Sequence, residues 1–273
     1  MVAAASRAED RLPAAWRSIA AELSEATLRA LMAGEIPVIR LRKFATAEEC
    51  RRLCDAIRGA GEVGRPAVTS PMNLIGCNFS NHTGEKAEYF AEVDASYHQV
   101  GQLTAAAGCA PLQRMLERLR AVWPRRVDIA TEPGFGRYFA GGIKTRTEGS
   151  HLHYDFAHHT APDYGIGAVV DQLGWNLYLE LPANTGHTII YNYRVPRDGG
   201  AMGRGNAKAL GLDRRLIEGA EAFTFRPEVG EVVVINTRNP HEIIIDHLPA
   251  GEWRAQTSSF IGRLPDDELV LWS

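Results

Sequence analysis

No apolar stretch in the chain is long enough to span a bilayer, and no long run of either charge sign interrupts it. A membrane-spanning helix needs roughly 20 apolar residues in a row, so that class is excluded. The formal net charge is only −3 at pH 7, which removes the electrostatic footprint of a nucleic-acid-binding or membrane-surface protein and leaves room only for a local basic pocket. Cysteine is scarce, with Cys50, Cys54, Cys77 and Cys109 the only four in 273 residues. None forms a CxxC pair and no histidine sits near Cys50 and Cys54, so free thiols in a reducing compartment are expected. The opening MVAAASRAEDRLPAAW carries acidic residues and lacks an apolar core, so no secretory signal is read there and a cytoplasmic location is expected. Repeats and low-complexity segments are absent as well.

What is present falls into two halves of an α+β chain. AAWRSIAAELSEATLRALMAG has apolar residues at helical spacing and ends at Gly34. A short strand, IPVIRLRKF, precedes the cysteine-bearing helix TAEECRRLCDAIRGAG. Two further helices are predicted in GEKAEYFAEVDASYHQVGQLTAAAG and PLQRMLERLRAVWP, the last stopped by Pro124. From about Arg126 the pattern changes to short strands: FGRYFAGG, HLHYDFA, GWNLYLELP, HTIIYNYRV, GEVVVIN, EIIIDHL and RAQTSSFIGRL. Such spacing predicts an antiparallel sandwich or barrel. An insertion at 194–222 starts glycine-rich and is predicted to end helical, a length that suits a lid. With no linker, one domain over 1–273 is expected, with 1–125 as mainly helical support and 126–273 as the β core.

Potential ligands crowd into GSHLHYDFAHH, where four of the nine histidines and an aspartate fall within eleven residues. As a strand with period two, this segment points His151, His153 and Asp155 one way and Leu152, Tyr154 and Phe156 the other. A second histidine, His241 in NTRNPHEIIID, follows the strand GEVVVIN, and Arg254 opens another strand after the turn LPAGEW. His153, Asp155 and His241 make two histidines and a carboxylate, a set that occupies one face of a metal and leaves the other open to O₂ and a co-substrate. Arg254 is a permanent cation whose planar fork suits a carboxylate.

In HYD, NPHE and EWRAQTSSF, taken in that order, the sequence resembles the iron(II)- and 2-oxoglutarate-dependent oxygenases. The resemblance covers the C-terminal half and implies a double-stranded β-helix, the jelly-roll or cupin-like barrel, with N-terminal supporting helices. It implies iron(II) held by His153, Asp155 and His241, and 2-oxoglutarate held by Arg254, with O₂ as co-substrate and succinate and CO₂ as products. By strand alternation Gln256 and Ser258 share the face of Arg254, and Asn176 is a further candidate co-substrate contact. HYDFA, WNLYLELP and IIYNYRV are similar to bacterial members that hydroxylate free or N-acylated amino acids. Related halogenases carry Gly or Ala at the carboxylate position, so Asp155 implies oxygen transfer to a small, amino-acid-like substrate. Arg137, Tyr138 and His151 are the candidate substrate contacts. Two rivals stay open: a cupin-type metal dioxygenase using the HLH pair without 2-oxoglutarate, and a non-catalytic jelly-roll binding protein. Bland roles are weighed beside these: a salt bridge for Arg254 or Arg137, core packing for Trp175, Tyr178 and Tyr191, and backbone pairing for Asn176 and Asn192.

Overall fold

A computed structural model of the chain describes residues 15–16, 22–61, 72–79, 86–182, 186–198, 211–245 and 248–273. In chain order the elements are α1 (Glu25–Ala33), β1 (Val38–Leu41), α2 (Ala47–Gly59), β2 (Met72–Ile75), α3 (Lys86–Ala107), α4 (Pro111–Val122), β3 (Val127–Ile129), β4 (Thr131–Glu132), β5 (Gly136–Arg137), β6 (Gly142–Arg146), β7 (Ser150–His153), α5 (Ala157–Thr160), β8 (Asp171–Glu180), β9 (His187–Tyr191), β10 (Ala222–Phe225), β11 (Val232–Asn236), β12 (His241–Ile244), β13 (Arg254–Arg263) and β14 (Leu269–Trp272). The expected helices are present, with boundaries set by local chemistry. α1 begins at Ser24, whose hydroxyl accepts from Thr27 N while the Thr27 hydroxyl accepts from Ser24 N, and it stops at Gly34 in the left-handed region. Residues 17–21 of the longer helix predicted from sequence lie outside the described residues, as do His82, His247 and residues 199–210 of the insertion.

Two antiparallel sheets dominate. The larger has eight strands in the order β1-β11-β8-β13-β14-β3, with β6 on the Arg254 end of β13 and β2 beyond it; only the β14–β3 pairing is parallel. The smaller has four strands, β10-β9-β12-β7. The nominally helical half therefore supplies strands to the larger sheet as well, β1 against β11 and β2 against β6. The end of the insertion also departs from expectation. A short 3-10 turn at Arg214–Ile217 gives way to strand β10, because the alternation in AFTF pairs against β9.

Alternation along the larger sheet decides where each side chain goes. Trp175, Leu177 and Leu179 of β8, with Val232 and Val234 of β11, bury against Leu28, Leu31, Leu53, Ile57, Met115 and Leu119 of the helices. Each such aliphatic side chain contributes roughly 1.5–3 kcal/mol on burial. The opposite face turns Tyr178, Val233 and Ile235 toward Ile190 and Phe225 of the smaller sheet. All four cysteines are free and buried, and burial pushes the Cys50 thiol up to about 12. Among the described residues no helix is long and apolar enough to cross a membrane.

Glu49 ties three parts of this support together. Its carboxylate accepts from Thr46 N at the start of α2 and from Arg114 of α4, and Arg114 also donates to the Phe44 carbonyl. The Arg114 bond, followed by that from Thr46, holds the Glu49 carboxyl down at about 2. A depressed acid stabilises the fold above its ordinary range near 4.5 and loses that contribution as pH falls through about 2. Glu49→Ala is expected to cost about 1–2 kcal/mol at neutral pH, read by denaturant unfolding. The gap between variant and wild type should narrow below pH 4.5.

Candidate active site

The smaller sheet brings two histidines face to face. β12 pairs β7 so that His241 lies directly opposite His153, with ring centroids 4.3 Å apart. Asp155 follows β7 by two residues, and its backbone N–H donates to the Thr237 carbonyl at 2.8 Å, tying the two ligand-bearing loops together. Its Oδ2 lies 3.8 Å from His153 Nε2 and 4.0 Å from His241 Nε2. One donor atom from each of the three residues thus falls within 4.8 Å of the other two.

Hydrogen bonds fix which nitrogen each ring presents. His153 Nδ1 is 2.7 Å from the His151 carbonyl and His241 Nδ1 is 2.9 Å from the Asn239 carbonyl. A carbonyl only accepts, so each Nδ1 carries a proton, and each Nε2 is the nitrogen presented on the side of Asp155, able to coordinate when the ring is neutral. Two neutral imidazoles and a carboxylate on one face are donors suited to a first-row divalent ion with open positions left for other ligands.

His151 does not join them. Between the pairs His241–His153 and Ile243–Ser150 the register shifts, so two residues of β7 oppose Glu242 alone. His151 lies in this bulge and is exposed, outside the cluster of donor atoms and off the cavity wall. The HLH pair therefore does not converge. Two other candidate substrate contacts also lie away from the cavity. Arg137 is largely exposed, paired with Asp94 at 3.2 Å and stacked on Tyr97. Tyr138 is buried in an aromatic cluster, where its hydroxyl donates to Glu132.

A cavity between the two sheets starts at the triad and is walled by Asn176, Tyr178, Thr188, Gln256 and Ser258. Gln256 Nε2 donates to Asn176 Oδ1 at 2.8 Å, while Gln256 Oε1 and Ser258 Oγ are buried without a hydrogen-bond partner among the described residues. Behind Tyr178 sits Arg254, wholly buried, its guanidinium 5.0 Å from the tyrosine ring. Among the described residues its Nε, Nη1 and Nη2 have no hydrogen-bond partner. Burial lowers its pKa, with Tyr178 only partly opposing, and among the described residues no carboxylate pairs with it. An unpaired buried cation costs several kcal/mol, a cost that a bound anion would offset. Space for it depends on Gly186, where a Cβ would come within 2.9 Å of Arg254 Nη1. The guanidinium thus reaches the stretch of the smaller sheet beside Ile244, three residues along β12 from His241, or about 10 Å at the rise of a strand.

Sequence reasoning missed two cations on the same cavity wall, Lys144 and Arg146 of β6. Their signal is the alternation in IKTR, which places both on one face but reads equally as a solvated edge. The structure orients that face inward. Asn192, by contrast, is occupied with Glu221 and does not line the cavity.

No protein-family model matches the chain. It is 28% identical over 213 residues to the leucinostatins biosynthesis cluster protein S of Purpureocillium lilacinum, covering 76% of this chain and 87% of that protein. It is 26% identical over 168 residues to the L-gamma-glutamyl-L-propargylglycine hydroxylase of Streptantibioticus cattleyicolor, covering 60% of this chain and 59%, less than two thirds, of that enzyme. Among solved structures, an N-substituted L-amino acid dioxygenase from Burkholderia ambifaria, in complex with alpha-ketoglutarate, superposes with a TM-score of 0.60 at 14% identity, over 91% of this chain and 90% of that one. The chain shares that dioxygenase's fold. A second crystal structure of the dioxygenase gives a TM-score of 0.57, again at 14% identity, over 91% of each chain.

The geometry separates His153 from His151 by experiment. Titrated with cobalt(II), His153→Ala and His241→Ala are expected to weaken binding at least a hundredfold, and His151→Ala by less than threefold. Calorimetry measures all three. Equal losses in His151→Ala and His153→Ala would remove the assignment.

Proposed function

We propose that the chain is an iron(II)- and 2-oxoglutarate-dependent oxygenase that hydroxylates an unactivated C–H bond of a small, amino-acid-like substrate. In this reading the two facing sheets are the double-stranded β-helix and the chain is one oxygenase domain. The observation that carries the reading is Arg254: a fully buried guanidinium without a hydrogen-bond partner among the described residues, about 10 Å along the strands from a His–Asp–His cluster. A metal site alone has no need of it. A small dianion with one end at the metal does.

His153, Asp155 and His241 hold the iron. Iron(II), 2-oxoglutarate and O₂ together supply an oxidant strong enough to break such a bond, with succinate and CO₂ released. The chain's own contribution is binding and orientation. The carbonyls of His151 and Asn239 keep both Nε2 atoms unprotonated and aimed at one point. Arg254 pairs with the distal carboxylate of 2-oxoglutarate, a charge-assisted contact strengthened by its enclosure. The unpartnered Gln256 Oε1 and Ser258 Oγ remain for polar atoms of the ligands, with the amide of Gln256 braced by Asn176. Valines and isoleucines between the sheets keep bulk water from the reacting atoms. The hydroxylase among the relatives and the N-substituted amino acid dioxygenase that shares the fold support an amino-acid-like substrate for this chain.

Anaerobic titration of the iron(II)-loaded protein with 2-oxoglutarate tests the reading through the weak visible band of the chelated 2-oxo acid. The wild type is expected to develop that band. Arg254→Ala should require at least thirtyfold more 2-oxoglutarate, on the order of 2 kcal/mol or more, with cobalt(II) affinity within threefold of wild type. An unchanged 2-oxoglutarate requirement in the variant would sink the assignment.

A further inference from the structure

Arg146 of β6 stands in register directly opposite Arg254 of β13. Residues paired across antiparallel strands send their side chains to the same face of the sheet, so the two guanidiniums start from neighbouring points. Like charges so placed repel, and burial removes the water that would screen them. Arg146 and Tyr178 line the cavity that holds the triad, and Arg254 stacks on Tyr178 from behind.

Neither guanidinium meets an acid. Among the described residues no carboxylate pairs with either, and Arg146 Nε is buried without a hydrogen-bond partner, as are all three nitrogens of Arg254. Arg146 Nη2 donates to Met72 Sδ at 3.3 Å, and a thioether is an uncharged and weak acceptor. Burial and then the charge of Arg254 lower Arg146 to about 10, with Tyr178 opposing, which leaves it cationic at neutral pH. Burial and Tyr178 act on Arg254 in the same senses. Both guanidiniums thus answer to one phenol, and Arg146 to Arg254 as well. A carboxylate has two oxygens and about four acceptor positions, enough for two guanidiniums. One such group arriving through the cavity would replace a buried repulsion by charge-assisted contacts to both.

We propose that Arg146 is a second guanidinium in the anion site of Arg254, so that the two arginines hold one carboxylate, the distal carboxylate of the co-substrate, between them. The site accordingly selects a 2-oxo diacid over a 2-oxo monoacid, and Arg146 carries part of that selection. The identity of the anion rests on the oxygenase reading. Arg146 stands outside the His–Asp–His cluster, so its contribution is to the co-substrate and not to the metal.

The test is an anaerobic titration of the iron(II)-loaded full chain, read by the visible band of the chelated 2-oxo acid. It compares 2-oxoglutarate with 2-oxobutyrate, which keeps the chelating end and lacks the distal carboxylate. Arg146→Gln is expected to raise the 2-oxoglutarate requirement at least tenfold, with its 2-oxobutyrate requirement within twofold of wild type. Arg146→Lys keeps the charge and loses the planar fork, and should raise the 2-oxoglutarate requirement at least threefold, again with 2-oxobutyrate unchanged. Cobalt(II) affinity within threefold of wild type reports that fold and metal site survive in both. Combined with Arg254→Ala, Arg146→Gln should leave 2-oxoglutarate bound no more tightly than 2-oxobutyrate. An unchanged 2-oxoglutarate requirement in Arg146→Gln would overturn the proposal. So would equal losses for the two acids, the mark of a purely structural role. If Arg146→Gln does not fold, the same two outcomes are read on Arg146→Lys. Absence of the band in the wild type with 2-oxoglutarate would instead overturn the oxygenase reading itself. A band that Arg254→Ala weakens and Arg146→Gln leaves alone would remove the second guanidinium and keep that reading.

Discussion

The register of β12 against β7 is the constraint on which the site depends. It sets His241 across from His153, and the bulge beside that pair turns His151 out to solvent. Side chains on a strand alternate, so a slip of one residue would exchange His241 for Glu242 or Pro240 at the cavity. The neighbours of the pair oppose such a slip. β9 pins β12 from the other side through Ile190, and the Asp155–Thr237 backbone bond fixes the aspartate relative to both histidines. Carbonyl acceptors then settle the histidine tautomers, so strand pairing and donor chemistry derive from one backbone arrangement.

Polar and charged groups within the larger sheet become tolerable because of what lies outside it. Helices α1, α2 and α4 bury the outer face of β8, β11 and β13 almost entirely with aliphatic and aromatic side chains. That burial gives the sheet its stability on one side. The other side can then carry Asn176, Gln256, Ser258 and Arg254, groups whose desolvation works against folding. The cost is concentrated around the cavity between the two sheets. Enclosure that weakens the free protein strengthens each charge-assisted contact once a carboxylate is bound.

Positive charge is placed by the sheet's geometry. β6 and β13 deliver one arginine each to the same register position, with Arg254 Nη1 beside Gly186 next to the smaller sheet and Arg146 Nη2 donating to Met72 Sδ of β2.

The sequence by itself determined the helices, most strands of the second half and the three residues that meet in the His–Asp–His cluster, because each signal is local. Periodicity marks an amphipathic helix, and HYD with NPHE carries its donors within a few residues. Arg254 was legible by its place after the turn LPAGEW. Tertiary structure decided everything that depends on which side chains meet. IKTR looks the same on a solvated edge as on a cavity wall, and only its pairing with β13 and β2 turns Lys144 and Arg146 inward. Arg137 has the chemistry of a carboxylate anchor but lies on a two-stranded ribbon whose outward face offers it Asp94. His151 follows strict alternation in the sequence and loses it to a bulge, since the extra residue of a bulge is set by the partner strand.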